Sequence, residues 1–151
     1  MTGFRYLDHM TDVIVEAYGN TLEDAFANSA RGLVNTMFEL SEVIPDMEVG
    51  IYAEGHDLKS LLYNWLEKVM LIMLIDNIVV SDSKVIISEC NDRYSINAVA
   101  KGEHTDLEKH HYKIEIKAIT YHEMEIKQGC KRCDDSLFAG PFDIATSRLQ
   151  K

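Results

Sequence analysis

The spacing of apolar residues changes once along the chain, and this change limits the folds that the sequence can adopt. Two segments, about 22–38 and 57–74, carry apolar residues at the spacing of helices with one buried face. From Ile78 onward, apolar residues recur in short alternating runs, which is the pattern of half-buried strands. The sequence therefore predicts an α+β fold with a single domain, in which two main helices pack on a mostly antiparallel β-sheet.

The predicted strands are short and are separated by turn residues. Gly19-Asn20 ends the second strand, and Thr21 is a favourable N-cap for the first helix. We expect consecutive runs to form hairpins, with Ser81-Asp82 and Asn91-Asp92 among the turns. The predicted runs are 3–7, 11–18, 49–53, 78–80, 84–90, 94–101, 112–119 and 124–127.

Length and charge narrow the classes of function. The chain has 151 residues, of which 46% are apolar and 26% charged, as expected for one soluble globular domain. It has 25 acidic and 15 basic residues, and the resulting net charge of −10 opposes direct binding to nucleic acid. The longest unbroken apolar run, residues 69–75, is far shorter than the roughly 20 residues of a membrane-spanning helix. We therefore expect neither a nucleic acid nor a membrane as a direct partner.

The amino terminus and the cysteines indicate the compartment. Residues 1–12 lack the basic and apolar regions of a secretory signal, so we expect a cytoplasmic protein. Cys90, Cys130 and Cys133 are an odd number without paired spacings, which favours a reducing environment. Cys130 and Cys133 have the CxxC spacing of zinc and redox sites, but no second CxxC accompanies them. A zinc or redox site is therefore the less favoured interpretation.

Residues 128–151 differ from the rest of the chain. They include Gly140, Pro141 and the acidic pair Asp134-Asp135, and they show neither the alternation of strands nor the spacing of helices. The string Ala139-Gly140-Pro141 lacks strand character. We predict one domain over residues 1–151, with 128–151 as a divergent tail of doubtful order.

Two short strings contain residue types that suit a functional site. Asp8, His9, Thr11 and Asp12 lie at a strand connection, where carboxylates can supply the oxygen ligands that calcium or magnesium prefers. Their spacing alone favours an ordinary hydrogen-bonded turn over a metal site. The second string, residues 117–122 (KAITYH), could meet an anion at a strand end, although an outward lysine and a corner tyrosine are the simpler interpretation.

The remaining polar clusters give weaker signals. His104, His110 and His111 accompany Asp106 and Glu108 in a polar loop, which favours a solvated turn over a metal site. GxGxxG, Walker, HExxH and GxSxG strings are absent from the sequence. The familiar nucleotide-binding and hydrolase signatures therefore do not apply.

Four strings, taken in order, give the chain a family resemblance. They are residues 4–12 (FRYLDHMTD), 19–26 (GNTLEDAF), 57–66 (from Asp57 to Trp65-Leu66) and 117–122 (KAITYH). In this order, the strings resemble the archease family over residues 4 to 127. The resemblance implies a non-enzymatic activator of the RtcB-type RNA ligase that joins tRNA halves during splicing. Archeases promote guanylylation of the ligase histidine, allow multiple turnover and broaden nucleotide use beyond GTP.

The resemblance also implies a bound divalent cation, usually calcium. In the family, the ion lies at the amino-terminal aspartate and at an aspartate and the following residue near the carboxyl end. Asp12 matches the first position, and Asp143 and Ile144 are the counterparts of the other two. Family members usually end at these positions, whereas this chain continues from residue 145 to residue 151. Asp134 or Asp135 is the alternative source of the second carboxylate, and absence of the ion from this chain is the other alternative.

Three further residues become candidate contacts to the ligase or its nucleotide through the same resemblance. Lys117 matches the lysine of the family string Lys-Ala-x-Thr-Tyr-His, and His122 closes that string. His9 belongs to the amino-terminal string. No residue of this chain is expected to be catalytic, since the resemblance implies that the ligase makes the bond.

Two other functions stay open from the sequence. One is a small metal-dependent hydrolase in which Asp12, His9 and His122 would serve a metal-activated water. The other is a general chaperone-like module with an exposed apolar patch. Turnover by the isolated protein would favour the first, and protection of unrelated proteins would favour the second.

Overall fold

Two helices and eight strands make up the part of the chain that the structure describes. The structure is a computed structural model, and it describes residues 3–7, 13–120, 126–128 and 137–147. Side chains are described for 3–6, 14–114, 116, 119 and 126, and the other residues of these ranges by their backbone alone. The elements are β1 (Gly3–Leu7), β2 (Val13–Gly19), α1 (Leu22–Met37), a 3-10 turn (Leu40–Glu42), β3 (Met47–Gly55), α2 (Leu58–Ile75), β4 (Ile78–Cys90), β5 (Arg93–His104), β6 (Glu115–Thr120), β7 (Ile126–Gln128) and β8 (Leu137–Ser147).

Both helices begin at capping residues that the sequence supplies. The hydroxyl of Thr21 accepts a hydrogen bond from the Asp24 amide at 3.0 Å and so caps α1. Asp57 and Ser60 form a reciprocal capping box at the start of α2, in which each side chain accepts the other residue's amide hydrogen. These caps explain why the predicted helix starts agree with the structure.

The strands form two antiparallel sheets where one was predicted. The first has the order β1-β2-β8-β6, with β7 also paired to β8, and the second has the order β3-β5-β4. The predicted hairpin between β4 and β5 is confirmed, and its turn residues Asn91 and Asp92 both have positive φ. A hairpin between β5 and β6 is wrong, because β6 pairs with β8 in the other sheet.

Ser81-Asp82 is a bulge, although the sequence analysis predicts a turn there. Val80 pairs with Gly102 and Asp82 pairs with Lys101, so Ser81 is an extra residue within the continuous strand β4. A bulge interrupts alternation without ending a strand. The polar residues at the interruption therefore resemble a turn in the sequence.

Strand β8 corrects the prediction for the carboxyl-terminal segment. Leu137–Ser147 lies between β2 on one side and β6 and β7 on the other. Val15 and Ala17 of β2 pair with Phe142 and Ala139, so the strand carries an extra residue at Gly140-Pro141. Proline lacks an amide hydrogen and is tolerated in sheets at bulges, which explains why this segment gives no strand signal locally. Residues 129–136 and 148–151 lie outside the described residues.

One core joins the two sheets through the helices. Helix α1 packs against β2 and β4, which belong to different sheets, and α2 packs mainly on β3. Trp65 of α2 is fully buried, and its indole N–H donates to the Phe26 carbonyl oxygen of α1 at 2.9 Å. The α+β class with two helices on antiparallel sheets is therefore confirmed. Neither helix of the described ranges is long and apolar enough to cross a membrane.

Gly102 is expected to be intolerant of a side chain. A Cβ atom there would overlap the carbonyl oxygen of Val79, which is backbone and cannot swing aside. We expect Gly102→Ala to lower the free energy of unfolding by about 2 kcal/mol, as overpacked sites usually do. Gly50→Ala is the control, since a Cβ at Gly50 meets no atom within 4 Å. Urea denaturation that gives the two variants equal stability would contradict this account of the strand contact.

Candidate functional site

Strands β2 and β8 bring Asp143 and Ile144, one end of the predicted site, beside the first residues of β2. Val13, the residue that follows Asp12 in the chain, pairs with Ile144. The next residue of β2, Ile14, pairs with Asp143. Neighbouring strands lie about 4.8 Å apart, so these residues are adjacent in space although distant in sequence.

Strand β6 reaches the same place from the other side of β8. Thr120, at the end of β6, pairs with Asp143. His122 follows two residues later in the chain, outside the described residues. The three strands meet at Val13, Asp143, Ile144 and Thr120. We call this meeting point the strand junction.

Lys117 lies at a β-bulge in β6. Two consecutive residues of β8 pair with Ile116 and Ala118, which leaves Lys117 between them as the extra residue. Ile116 and Ile119 are both buried, although strict alternation would place residues three apart on opposite faces. The extra residue at the bulge shifts the alternation by one position, so Ile116 and Ile119 can both be buried. Bulges often lie beside functional sites, where they re-aim a side chain.

Most of the predicted site residues are described only in part. Asp12, His9 and His122 lie outside the described residues, and so do Asp134 and Asp135. Lys117, Asp143 and Ile144 are described by their backbone alone. Among the side chains that are described, no group of three or more His, Cys, Asp or Glu could hold a metal ion. The proposed ligands and contacts therefore stay predictions. For Lys117, Asp143 and Ile144, the structure gives the strand register.

The polar loop after β5 contains a buried histidine that pairs with Glu103 of β5, a pair that the sequence does not predict. His110 is fully buried, and its Nε2 lies 2.7 Å from Oε1 of Glu103. Its Nδ1 accepts the Asp106 amide hydrogen at 3.0 Å, so Nε2 carries the hydrogen that is donated to Glu103. The predicted solvated turn is wrong for His110, whereas His104 and His111 are exposed.

Glu103 is the centre of this buried cluster. Besides His110, it accepts hydrogen bonds from the Ile44 amide at 2.8 Å and from Lys109 Nζ at 2.9 Å. Burial raises the pKa of Glu103, but these three donors outweigh it and lower the pKa from 4.5 to about 2. The His110 carbonyl oxygen also accepts the Glu39 amide hydrogen, so the cluster fastens the loop to the end of α1. We assign it a structural role.

Comparison with known protein families shows to which family the chain belongs. The profile of a family described as "Archease protein family (MTH1598/TM1083)" matches residues 4–136. The chain belongs to the archease family. The family resemblance predicted from the four sequence strings is therefore confirmed.

Individual relatives support the same relationship. Protein archease of Pyrococcus furiosus is 38% identical over 128 residues, which cover 85% of this chain and 90% of that protein. Protein archease of Aeropyrum pernix is 40% identical over 133 residues, which cover 86% of this chain and 92% of that protein. The solution structure of Methanobacterium thermoautotrophicum protein 1598 has a TM-score of 0.77 and 32% identity, with 97% of this chain and 100% of that chain covered. The match to that structure thus covers nearly the whole chain.

Proposed function

We propose that this archease-family chain is a non-enzymatic activator of an RtcB-type RNA ligase. In this proposal it promotes guanylylation of the ligase histidine, supports multiple turnover, broadens the nucleotides that the ligase accepts and acts in the cytoplasm. Family membership over residues 4–136 supports the proposal. The relatives bear the name of a protein family and not of an enzyme, which is consistent with an accessory role.

The strand junction is the observation that carries the proposed site. The pairing of Val13 with Ile144 sets the residue after Asp12 beside Asp143 and Ile144. Two carboxylates and a peptide carbonyl are oxygen donors of the kind that calcium prefers, so the donor set fits a divalent cation. We assign Asp12, Asp143 and the backbone of Ile144 to this cation. When bound, it would supply positive charge to phosphate groups at the contact with the ligase.

The other site residues are assigned to the contact with the partner. Lys117, His9 and His122 would face the ligase or its nucleotide, and a lysine ammonium is a suitable point charge for a phosphate. The acidic surface of the chain, with a net charge of −10, complements a basic RNA-binding partner. The chain itself is assigned no contact with RNA.

Ligation of tRNA halves under multiple-turnover conditions tests the proposal. With the cognate ligase limiting, we expect addition of this protein to raise the number of joined molecules per ligase well above the value for ligase alone. The isolated protein is expected to consume neither nucleotide nor RNA. An unchanged yield with folded protein would contradict the activator proposal, and turnover by the isolated protein would favour a hydrolase.

Calcium binding tests the proposed ligands without any ligase. We expect Asp143→Asn to weaken calcium binding by a factor of about ten or more, because affinity at such sites depends on the number of charged oxygen ligands. Isothermal titration calorimetry of the isolated protein measures this change. Asp46→Asn is the matched control, since Asp46 is exposed and lies before β3. Equal affinities for the Asp143 variant and the wild type would remove Asp143 from the site.

A further inference from the structure

The side chain of Tyr6 joins the end of β1 to the last turns of α1. Its hydroxyl donates a hydrogen bond to the carbonyl oxygen of Gly32 at 3.0 Å and accepts one from Nδ2 of Asn35 at 3.2 Å. Oγ1 of Thr36 lies 3.5 Å from the same hydroxyl oxygen. The side chain of Tyr6 is 42% exposed, yet its hydroxyl is surrounded by three residues of one helix.

Gly32 allows α1 to approach the hairpin of β1 and β2 this closely. A Cβ atom at Gly32 would lie 2.6 Å from Cγ1 of Val15 and 3.2 Å from the ring of Phe4. Phe4 and Tyr6 are alternate residues of β1, so both side chains lie on the face of the strand that meets the helix. Strand β1 therefore packs on α1 through two aromatic side chains, and the hydroxyl of Tyr6 adds the hydrogen bonds.

Strand β1 depends on such contacts because it lies at the edge of its sheet. In the part of the chain that the structure describes, it pairs with β2 alone. An ion pair between Arg5 and Glu16 adds a link to β2 and to no other element. The ends of short edge strands open more easily than central strands. The hydrogen bonds of Tyr6 tie this strand to the body of the molecule.

Tyr6 lies directly before the connection that carries a proposed cation ligand. Leu7 pairs with Ile14, and β1 and β2 are joined through residues 8–12. Asp12 is the last residue of this connection. Its far end, Val13, is held by β8, and its near end follows Tyr6 and is held through α1. A segment with both ends fixed has fewer conformations and loses less entropy when it binds a ligand.

The hydroxyl of Tyr6 is suited to hold a neighbouring segment and not to bind the ion itself. Burial raises the pKa of Tyr6 above its ordinary value, so the hydroxyl keeps its hydrogen at neutral pH. That hydrogen is donated to Gly32, and Asn35 takes an acceptor position. Calcium prefers carboxylate and carbonyl oxygens. Tyr6 is therefore a positioning residue and not a ligand.

We infer that the hydroxyl of Tyr6 positions the cation site, because it fastens the end of β1 to α1 and so fixes one end of the connection that carries Asp12. The inference rests on the proposed function, since the cation belongs to the proposed activator. Loss of the hydroxyl should weaken calcium binding and leave the ligands in the chain. Calcium at a concentration that fills the site should then restore full stimulation of the ligase.

Tyr6→Phe tests the inference, because it removes the hydroxyl and keeps the aromatic ring. Isothermal titration calorimetry with calcium chloride compares it with the wild type and with Ser29→Ala. Ser29→Ala is the matched control, since it removes a buried hydroxyl of α1 that donates to the Phe26 carbonyl oxygen and not to β1. We expect the dissociation constant for calcium to rise about fivefold in Tyr6→Phe, the scale of one lost hydrogen bond, and to stay unchanged in Ser29→Ala.

The calcium dissociation constant distinguishes positioning from a purely structural role. Urea denaturation measures how far each variant lowers the free energy of unfolding. A variant that is less stable but still fully folded keeps its calcium affinity unless the site itself has changed. Equal dissociation constants for Tyr6→Phe and the wild type would therefore overturn the inference, whatever the loss of stability, and would leave the activator proposal standing.

Stimulation of ligase guanylylation separates the inference from the proposed function. We expect Tyr6→Phe to need about fivefold more calcium for half-maximal stimulation and to reach the wild-type plateau. A lower plateau at saturating calcium would overturn the inference, because it would place Tyr6 at the contact with the ligase. Weaker calcium binding by Tyr6→Phe, with no stimulation by the wild type, would support the inference and contradict the activator proposal. A folded wild-type protein that binds no calcium would overturn the inference together with the proposed cation site.

Discussion

Asp12→Ala is expected to abolish most of the stimulation of ligase guanylylation, with a rate enhancement reduced by a factor of about ten or more. In the proposed site, the change removes one of the charged oxygen ligands of calcium, and calcium affinity depends on the number of such ligands. Val13, the next residue in the chain, pairs with Ile144, so the neighbour of Asp12 lies at the strand junction. Single-turnover guanylylation of the cognate ligase, at saturating concentrations of each variant, measures the effect.

Asp46→Ala is the matched control for Asp12→Ala. It removes the same carboxylate from an exposed position before β3 and is expected to stimulate as the wild type does. Circular dichroism and urea denaturation establish that both variants are folded. Full stimulation by a folded Asp12→Ala variant would show that Asp12 has no part in activation.

Glu103→Gln is expected to lower the free energy of unfolding by about 3 kcal/mol, the scale observed when one member of a buried charged cluster is removed. Glutamine has the same shape as glutamate but no negative charge. In the wild type, the charged carboxylate of Glu103 faces Lys109 and accepts the hydrogen bond from His110. Urea denaturation near neutral pH measures the loss. Glu108→Gln in the loop after β5 is the control, because Glu108 is exposed, and it is expected to change stability little.

The stabilising effect of Glu103 has a defined pH dependence. Its pKa is about 2 in the folded protein and 4.5 as the ordinary value, so the folded state favours the ionised form. The stabilisation is fully present above about pH 4.5 and is lost as the pH falls towards about 2. The difference in stability between wild type and Glu103→Gln should shrink over this range. A difference that stays constant would contradict the assigned ionisation.

The helices and most strands could be predicted from the sequence because their signals are local. Apolar spacing and the caps at Thr21 and Asp57 act within one or two turns of helix. The bulges at Ser81 and Gly140-Pro141 were missed, because a bulge interrupts alternation with the same residue types as a turn. Only the pairing with the neighbouring strand shows that the strand continues past the bulge.

The division into two sheets had no local signal. Strand β6 follows β5 in the chain and pairs with β8, which the sequence analysis did not predict as a strand. The pairing depends on contacts between distant segments, and alternation within one strand carries no information about its partner. A hairpin between β5 and β6 was therefore the simplest prediction and the wrong one.

The candidate site could be predicted only in part, for the same reason. Spacing within residues 8–12 favoured an ordinary turn, and the family resemblance related Asp12 to Asp143. The pairing of Val13 with Ile144 shows that the residue after Asp12 lies beside this end of β8, which depends on β2 and β8 being neighbours in the sheet. The Glu103–His110 pair gave no signal, since burial of a histidine in a polar loop depends on packing against the end of α1.

The rate of guanylylation of the ligase histidine in a single turnover, with and without the wild-type protein, tests the central claim most directly. This step isolates the chemistry that the activator is proposed to promote from binding and release of RNA. We predict a clear increase in the rate when the protein is present, while the protein alone forms no guanylylated species. The same rate with and without folded protein would contradict the claim that this archease-family chain activates the ligase.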